Sequence, residues 1–179
     1  GMCMGEWRKK EVNRRELFNK TLGLIGMGRI GTEVAKRALA FGMKTIAYDK
    51  YVKKSDFAEM KSLDELLAEA DYVSLHTPLT DETQGMVGKE FISKMKEGSI
   101  LVNTCRGKCV IEEDIAEALE SGKLAGYGND VWYSDPPEAT PLTMAPNTVL
   151  LPHVGASSKE NLSRIGDMCV SIIDEFTHR

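Results

Sequence analysis

The residues whose types and spacing most directly imply chemistry are Gly26-Met27-Gly28-Arg29-Ile30-Gly31, a G-x-G-x-x-G run. It follows a short apolar stretch, Thr21–Gly26. Ile30, Val34, Ala38 and Phe41 then recur at helical spacing. In that setting each glycine has a steric purpose. Gly26 permits a tight turn, Gly28 lets a phosphate approach bare backbone, and Gly31 lets the helix pack closely on the sheet. Arg29 and Ile30 lie in the first helical turn, where free N–H groups and the helix dipole favour an anion. A plain structural turn is the alternative. Against it stands Asp49, at the end of the next apolar run and 18 residues after Gly31. A carboxylate there accepts hydrogen bonds from ribose hydroxyls and repels a 2′-phosphate. The cofactor these residues imply is NAD, with Lys50 next door the one feature favouring NADP.

These groups need a scaffold, and the pattern of the chain indicates which. Strand-like runs are expected at Thr21–Gly26, Lys44–Asp49, Tyr72–His76, Ser99–Thr104, Leu124–Val131 and Thr148–Leu151. Helices are expected between them. One starts at the capping box Ser62-Leu63-Asp64-Glu65, and another runs from about Ile111 to Ser121, closed by Gly122. The last starts at Ser157-x-x-Glu160, with Leu162, Ile165, Met168, Cys169, Ile172, Ile173 and Phe176 on one face. Apolar strands alternating with helices predict an α/β Rossmann fold, a doubly wound parallel sheet with helices on both faces, in a single domain. Residues 1–19 read as an N-terminal arm with Trp7, Val12, Leu17 and Phe18 to bury, and residues 20–179 as the domain. Asp135-Pro136-Pro137 and Pro141–Pro146 are placed in a loop on the site side.

Composition narrows the function classes. Of 179 residues 42% are hydrophobic and 28% charged, which suits a globular domain, and the net charge of −4 argues against nucleic acid as a partner. Lys50, Lys53 and Lys54 read as a solvated loop. No apolar run is long enough to span a bilayer and the start has no signal-peptide core, so a cytoplasmic protein without membrane contact is expected. Cys3, Cys105, Cys109 and Cys169 have no metal-ligand spacing, so no metal is expected and the thiols read as reduced. His76 reads as a structural hydrogen-bonding residue and His178 as solvated.

Three later segments fall at or just after expected strand ends. They are Val102-Asn103-Thr104-Cys105-Arg106-Gly107, Asn129-Asp130-Val131-Trp132-Tyr133-Ser134-Asp135-Pro136, and Leu151-Pro152-His153-Val154-Gly155-Ala156-Ser157. With the glycine run, and with Leu75-His76-Thr77-Pro78-Leu79 and Thr83, they resemble the D-isomer-specific 2-hydroxyacid dehydrogenases, the family that includes phosphoglycerate, glycerate and formate dehydrogenases. The resemblance runs from about Gly5 to Arg179. It implies hydride transfer between NAD and a 2-hydroxy or 2-oxo acid. It makes His153 the general acid–base, Arg106 the carboxylate-binding cation, and Asp135 the acid that orients His153. It also has Asp130 accepting from the nicotinamide carboxamide, with Thr77, Pro78 and Thr104 lining the nicotinamide-ribose pocket. Thr83, Cys105 and Gly155 complete the cofactor-contacting set, Cys105 in an alanine-like packing role.

The residue before the proline is usually Glu in this family, or Gln in formate dehydrogenases; here it is Asp135. One methylene shorter, it is expected to reach His153 only with a shifted loop. The family builds its site between two domains, so the substrate domain is expected to be absent from this chain, which would be an excised cofactor domain or a natural short form. A homodimer is implied. Two other readings stay open. Leu119–Val131 and Trp132 are similar to the formate dehydrogenase branch, and an NAD-sensing interaction module like the corepressors of the family is the second.

Overall fold

The computed structural model describes Gly5 and residues 15–178. Trp7, Val12 and Cys3 of the expected arm lie outside the described residues. Leu17 and Phe18, expected to be buried, are exposed.

Among the described residues, seven parallel strands form one sheet in the order β3-β2-β1-β4-β5-β6-β7. They are β1 (Thr21–Ile25), β2 (Lys44–Tyr48), β3 (Glu59–Met60), β4 (Tyr72–Leu75), β5 (Ser99–Asn103), β6 (Leu124–Asn129) and β7 (Thr148–Leu150). The order reverses between β1 and β4, and such a switch point opens a crevice at the carboxyl ends of the strands. The expected strands are all present, one or two residues shorter where the chain turns toward the site. The short β3 was not anticipated, because two residues carry no readable period.

The helices are α1 (Arg29–Ala40), α2 (Leu63–Glu69), α3 (Lys89–Lys94), α4 (Glu112–Glu120), α5 (Pro141–Met144) and α6 (Lys159–Thr177). Side-chain alternation on β1 sorts them onto the two faces. Leu22 and Leu24 join Ala35 and Ala38 of α1 in one cluster, while Ile25 joins Leu66, Leu67, Phe91, Ile92, Ile115 and Leu119 of α2, α3 and α4 in the other. Among the described residues α1 sits on β1 and β2. That is why Ile100 and Val102 of β5, on the α1 side, stay only half-buried, while Ser99, Leu101 and Asn103 on the opposite face, toward α2, α3 and α4, are buried.

Two local expectations differ from the structure, and the apolar face of the last helix is left uncovered. The Pro141–Pro146 stretch is not all loop, because Pro141 sits at the start of the short helix α5, where its missing N–H costs nothing. The cap of α6 is Ser158, whose hydroxyl accepts from Asn161 N at 3.1 Å, one residue beyond the Ser157 box. None of the α6 side chains is buried: Leu162, Ile165, Met168, Ile172, Ile173 and Phe176 are 49–81% exposed, so its apolar face is not part of this core. No helix among the described residues is long and apolar enough to cross a membrane.

The Ser62 box forms as the sequence dictates. Its hydroxyl accepts from Glu65 N and the Glu65 carboxylate accepts from Ser62 N at 3.0 Å. Ser62→Ala removes one half of this exchange, and chemical denaturation is expected to show a loss of about 1 kcal/mol.

Candidate active site

The glycine turn is built by steric necessity. Gly26 has φ +97°, and a Cβ on it would sit 2.6 Å from the His76 carbonyl oxygen. A Cβ on Gly31 would sit 2.2 Å from Gly26 O, so helix α1 starts hard against the turn it follows. Gly28 faces open space, and a cavity of about 450 Å3 lies there, lined by Gly28, Arg29, Ile30 and His76. Helix α1 has no side-chain cap and no acidic residue in its first turn, so the N–H groups of Arg29 and Ile30 remain for an anion. Arg29 and Ile30 are both exposed at this rim. A dinucleotide pyrophosphate fits this cradle.

Asp49 ends β2 beside the turn and is committed to backbone. Its Oδ2 accepts from Met27 N at 2.7 Å, inside the glycine run, and its Oδ1 accepts from Tyr51 N and Val52 N at 2.8 and 2.9 Å. Partial burial works to raise its pKa, but the three N–H donors prevail and hold it below the usual carboxylate range. Oδ1 has both acceptor sites engaged, but Oδ2 retains one, so a ribose hydroxyl can still be accepted there.

The loop after β4 carries Thr77, Pro78 and Thr83. The Thr77 hydroxyl is buried without a hydrogen-bond partner, an orphan beside the expected nicotinamide pocket. Pro78 is exposed. The Thr83 hydroxyl is used within its own loop, donating to Pro78 O at 2.7 Å and accepting from Thr80 N at 2.8 Å. His76 is partly buried and its Nε2 lies 3.0 Å from Ser74 Oγ, as expected of a structural histidine. Burial lowers its pKa to about 4.

Arg106 follows β5 in a loop shaped by Asn103, which is fully buried. Asn103 Nδ2 donates to Arg106 O at 3.0 Å, and its Oδ1 accepts from Cys105 N at 3.1 Å and from the Cys105 thiol at 3.2 Å. Cys105 therefore packs inward, while Thr104 and Arg106 are exposed on either side of it. The neighbouring Cys109 thiol lowers the Cys105 pKa, and Cys105 in turn raises that of Cys109. Arg106 Nη1 donates to Cys105 O at 2.6 Å.

The β6 end supplies the largest addition to what the sequence suggests. Asp130 is buried and both its oxygens face the loop after β7: Oδ1 accepts from Val154 N and Oδ2 from Gly155 N, each at 2.8 Å. It clamps the segment that carries His153. Gly155 fits this clamp, since a Cβ there would lie 2.9 Å from Asp130 Oδ2. Trp132 Nε1 donates to Leu151 O at 2.9 Å and ties the same two loops together. His153 itself has φ +56°, a left-handed conformation uncommon for a side-chain-bearing residue and concentrated at functional sites. Its Nδ1 lies 2.6 Å from Asp135 Oδ2. Asp135 thus reaches His153 despite its shorter side chain. The pairing makes Nδ1 the protonated nitrogen facing the acid and leaves Nε2 free to exchange a proton. Both side chains remain about half exposed, 49% for His153 and 55% for Asp135.

The glycine cradle, Arg106, Asp130 and the His153–Asp135 pair all lie at the carboxyl ends of strands in one sheet. Comparison with known proteins agrees. The family model described as D-isomer specific 2-hydroxyacid dehydrogenase, NAD binding domain, matches residues 2–155. The chain belongs to this family. A D-2-hydroxyacid dehydrogenase relative, the hydroxypyruvate reductase of Thermotoga maritima, is 48% identical over 166 residues, covering 90% of this chain and 54% of that protein. Among solved structures of similar fold, the NAD-dependent formate dehydrogenase of Staphylococcus aureus in complex with NAD has a TM-score of 0.90 at 37% identity. It covers 97% of this chain and 54% of its own. The D-lactate dehydrogenase of Aquifex aeolicus with NAD and lactic acid has a TM-score of 0.87 at 37% identity, covering 99% and 59%. The chain spans about half the length of several curated family members it matches. As a member of this NAD-binding domain family, it has NAD as its cofactor.

His76 couples this region to pH. Between its ordinary value of 6.5 and about 4 the unfolded chain binds a proton that the folded chain refuses, so stability is full above pH 6.5 and falls as pH drops toward 4. From pH 6.5 to 5 the loss attributable to His76 is expected to be about 1–2 kcal/mol. Denaturation of wild type and His76→Gln across that range measures it; equal pH slopes in the two proteins would contradict it.

Proposed function

We propose that this chain is the cofactor-binding half of an enzyme that transfers hydride between NAD and a 2-hydroxy or 2-oxo acid, in the manner of phosphoglycerate dehydrogenase. The observation that carries this reading is the 2.6 Å contact between His153 Nδ1 and Asp135 Oδ2. It pairs a proton-transferring imidazole with an acid at the carboxyl edge of the sheet that also carries the dinucleotide cradle. NAD, when bound, supplies or accepts the hydride. His153 Nε2 gives a proton to the carbonyl oxygen in reduction and takes it from the hydroxyl in oxidation. Asp135 holds the ring orientation and stabilises the imidazolium. Arg106, exposed in the loop after β5, binds the substrate carboxylate by planar two-point contact. Asp130 holds the His153 loop through Val154 and Gly155, and accepting from the nicotinamide carboxamide would use its remaining lone pairs. Gly26, Gly28, Arg29, Ile30 and Gly31 hold the pyrophosphate, Asp49 the ribose, and Thr77, Pro78 and Thr104 the nicotinamide side. Thr83 and Cys105 serve by shaping the loops beneath them.

Proton transfer gains from a dry site, and here His153 and Asp135 are half exposed. This supports a second, substrate-holding domain beyond residues 20–179 that would close over them. By itself the chain is expected to bind cofactor and to turn over 2-hydroxy acids weakly. The exposed apolar side chains of α6, together with Phe18, Leu39 and Phe41, support an assembly such as a homodimer, in keeping with a cytoplasmic enzyme. Formate oxidation is the less favoured reading. Formate has no hydroxyl proton to remove, so it gives the His153–Asp135 pair nothing to do.

Isothermal titration of the 179-residue chain with NADH is expected to show one site of micromolar affinity, about −8 kcal/mol. No heat of binding at millimolar cofactor would overturn the reading.

A further inference from the structure

Strands β2 and β4 lie on either side of β1 in the sheet, so the loops that follow them flank the glycine turn. A charge pair spans that gap. Lys50, directly after Asp49, places its Nζ 2.6 and 2.7 Å from the two oxygens of Glu82 in the loop after β4. The same ammonium lies 5.8 Å from the Tyr51 ring centroid. Lys53 is also engaged, donating to Lys50 O at 2.5 Å. The Glu82 side of the bridge is shaped by Thr83, whose hydroxyl fixes the turn from Pro78 to Thr83. On the other side Asp49 is fixed by its three backbone donors.

This arrangement bears on an opposition visible in the sequence. Asp49 disfavours a 2′-phosphate, yet a lysine follows it in the position from which a cation could attract one. A phosphate is recognised by cations and a ribose hydroxyl is not, so the charge that Lys50 presents decides between the two cofactors. We propose that Glu82 is a specificity-determining residue of the NAD site, one that acts through Lys50: it pairs the ammonium across the adenosine end of the cradle and so withholds it from the 2′-phosphate of NADP. The inference rests on the NAD-binding reading and deepens it. Glu82 touches no reacting atom; it is a positioning residue.

The test is a fluorescence titration of NADH and NADPH against wild type, Glu82→Gln, Lys50→Met and the double variant. All substitutions are on exposed side chains whose loss leaves the core intact. The ratio of NADPH to NADH dissociation constants is the readout, because a merely structural role would move both constants together. In Glu82→Gln that ratio is expected to fall at least about fivefold, and in the double variant to return to the wild-type value. A ratio in Glu82→Gln within about twofold of wild type overturns the proposal, and so does a fall that persists in the double variant, since Lys50 would then not be the agent. A wild-type chain that binds neither nucleotide overturns instead the NAD reading beneath it.

Discussion

Buried polar groups at the carboxyl ends of β5 and β6 must be hydrogen-bonded, and the loops that satisfy them are the loops that carry the chemistry. Asn103 and Asn129 are register partners on these neighbouring strands and both are buried. Asn103 turns the chain toward Arg106, and Asn129 donates to Val131 O at 2.7 Å while its Oδ1 accepts from the Tyr127 hydroxyl at 3.0 Å. Asp130 follows, with its N donating to Asn103 O at 3.1 Å and its carboxylate capturing Val154 and Gly155. One continuous run of hydrogen bonds thus connects the Arg106 loop to the His153 loop. Left unpaired, any of these buried groups would cost about 1–3 kcal/mol, so the loops have little freedom to lie elsewhere.

The same logic governs the cofactor end. Asp49 ties the second strand to the glycine turn through Met27 N, and the turn is fixed from below by the close contact of Gly31 with Gly26. In both halves a carboxylate at a strand end binds backbone first, and has capacity left for ligand. His153 in its left-handed conformation is held by this network, which makes an otherwise costly backbone geometry tolerable.

Much of this was legible in the chain. The glycine turn, Asp49 and the parallel α/β architecture follow from residues whose type is nearly forced by sterics or charge or from the alternation of strands and helices, whereas the roles of Arg106 and His153 came with the family resemblance. What escaped reading has physical reasons. A carboxylate that accepts from a ligand and one that accepts from backbone are the same residue type, so the clamp formed by Asp130 left no separate signal; the same is true of Asn103 and Thr83. Helix α3 spans six residues and β3 two, too few to show a period. Ser157 and Ser158 compete for the cap of α6, and Asn161 rather than Glu160 answers it. Helical spacing shows that α6 has an apolar face, but nothing in that spacing says what covers it. For Asp135, counting methylenes gave a shorter reach, whereas the position of the loop decides the contact with His153.

Asp130 holds the His153 loop through the amides of Val154 and Gly155, and no cofactor atom is needed for either bond, so the loop is expected to be ordered in the free chain. Amide hydrogen exchange at Val154 and Gly155 in the free chain measures it most directly. In a preformed site both amides are protected well above the level of an unstructured peptide, and adding NADH changes them little. Exchange of both at unstructured-peptide rates in the free chain, with protection appearing only on addition of NADH, would contradict it.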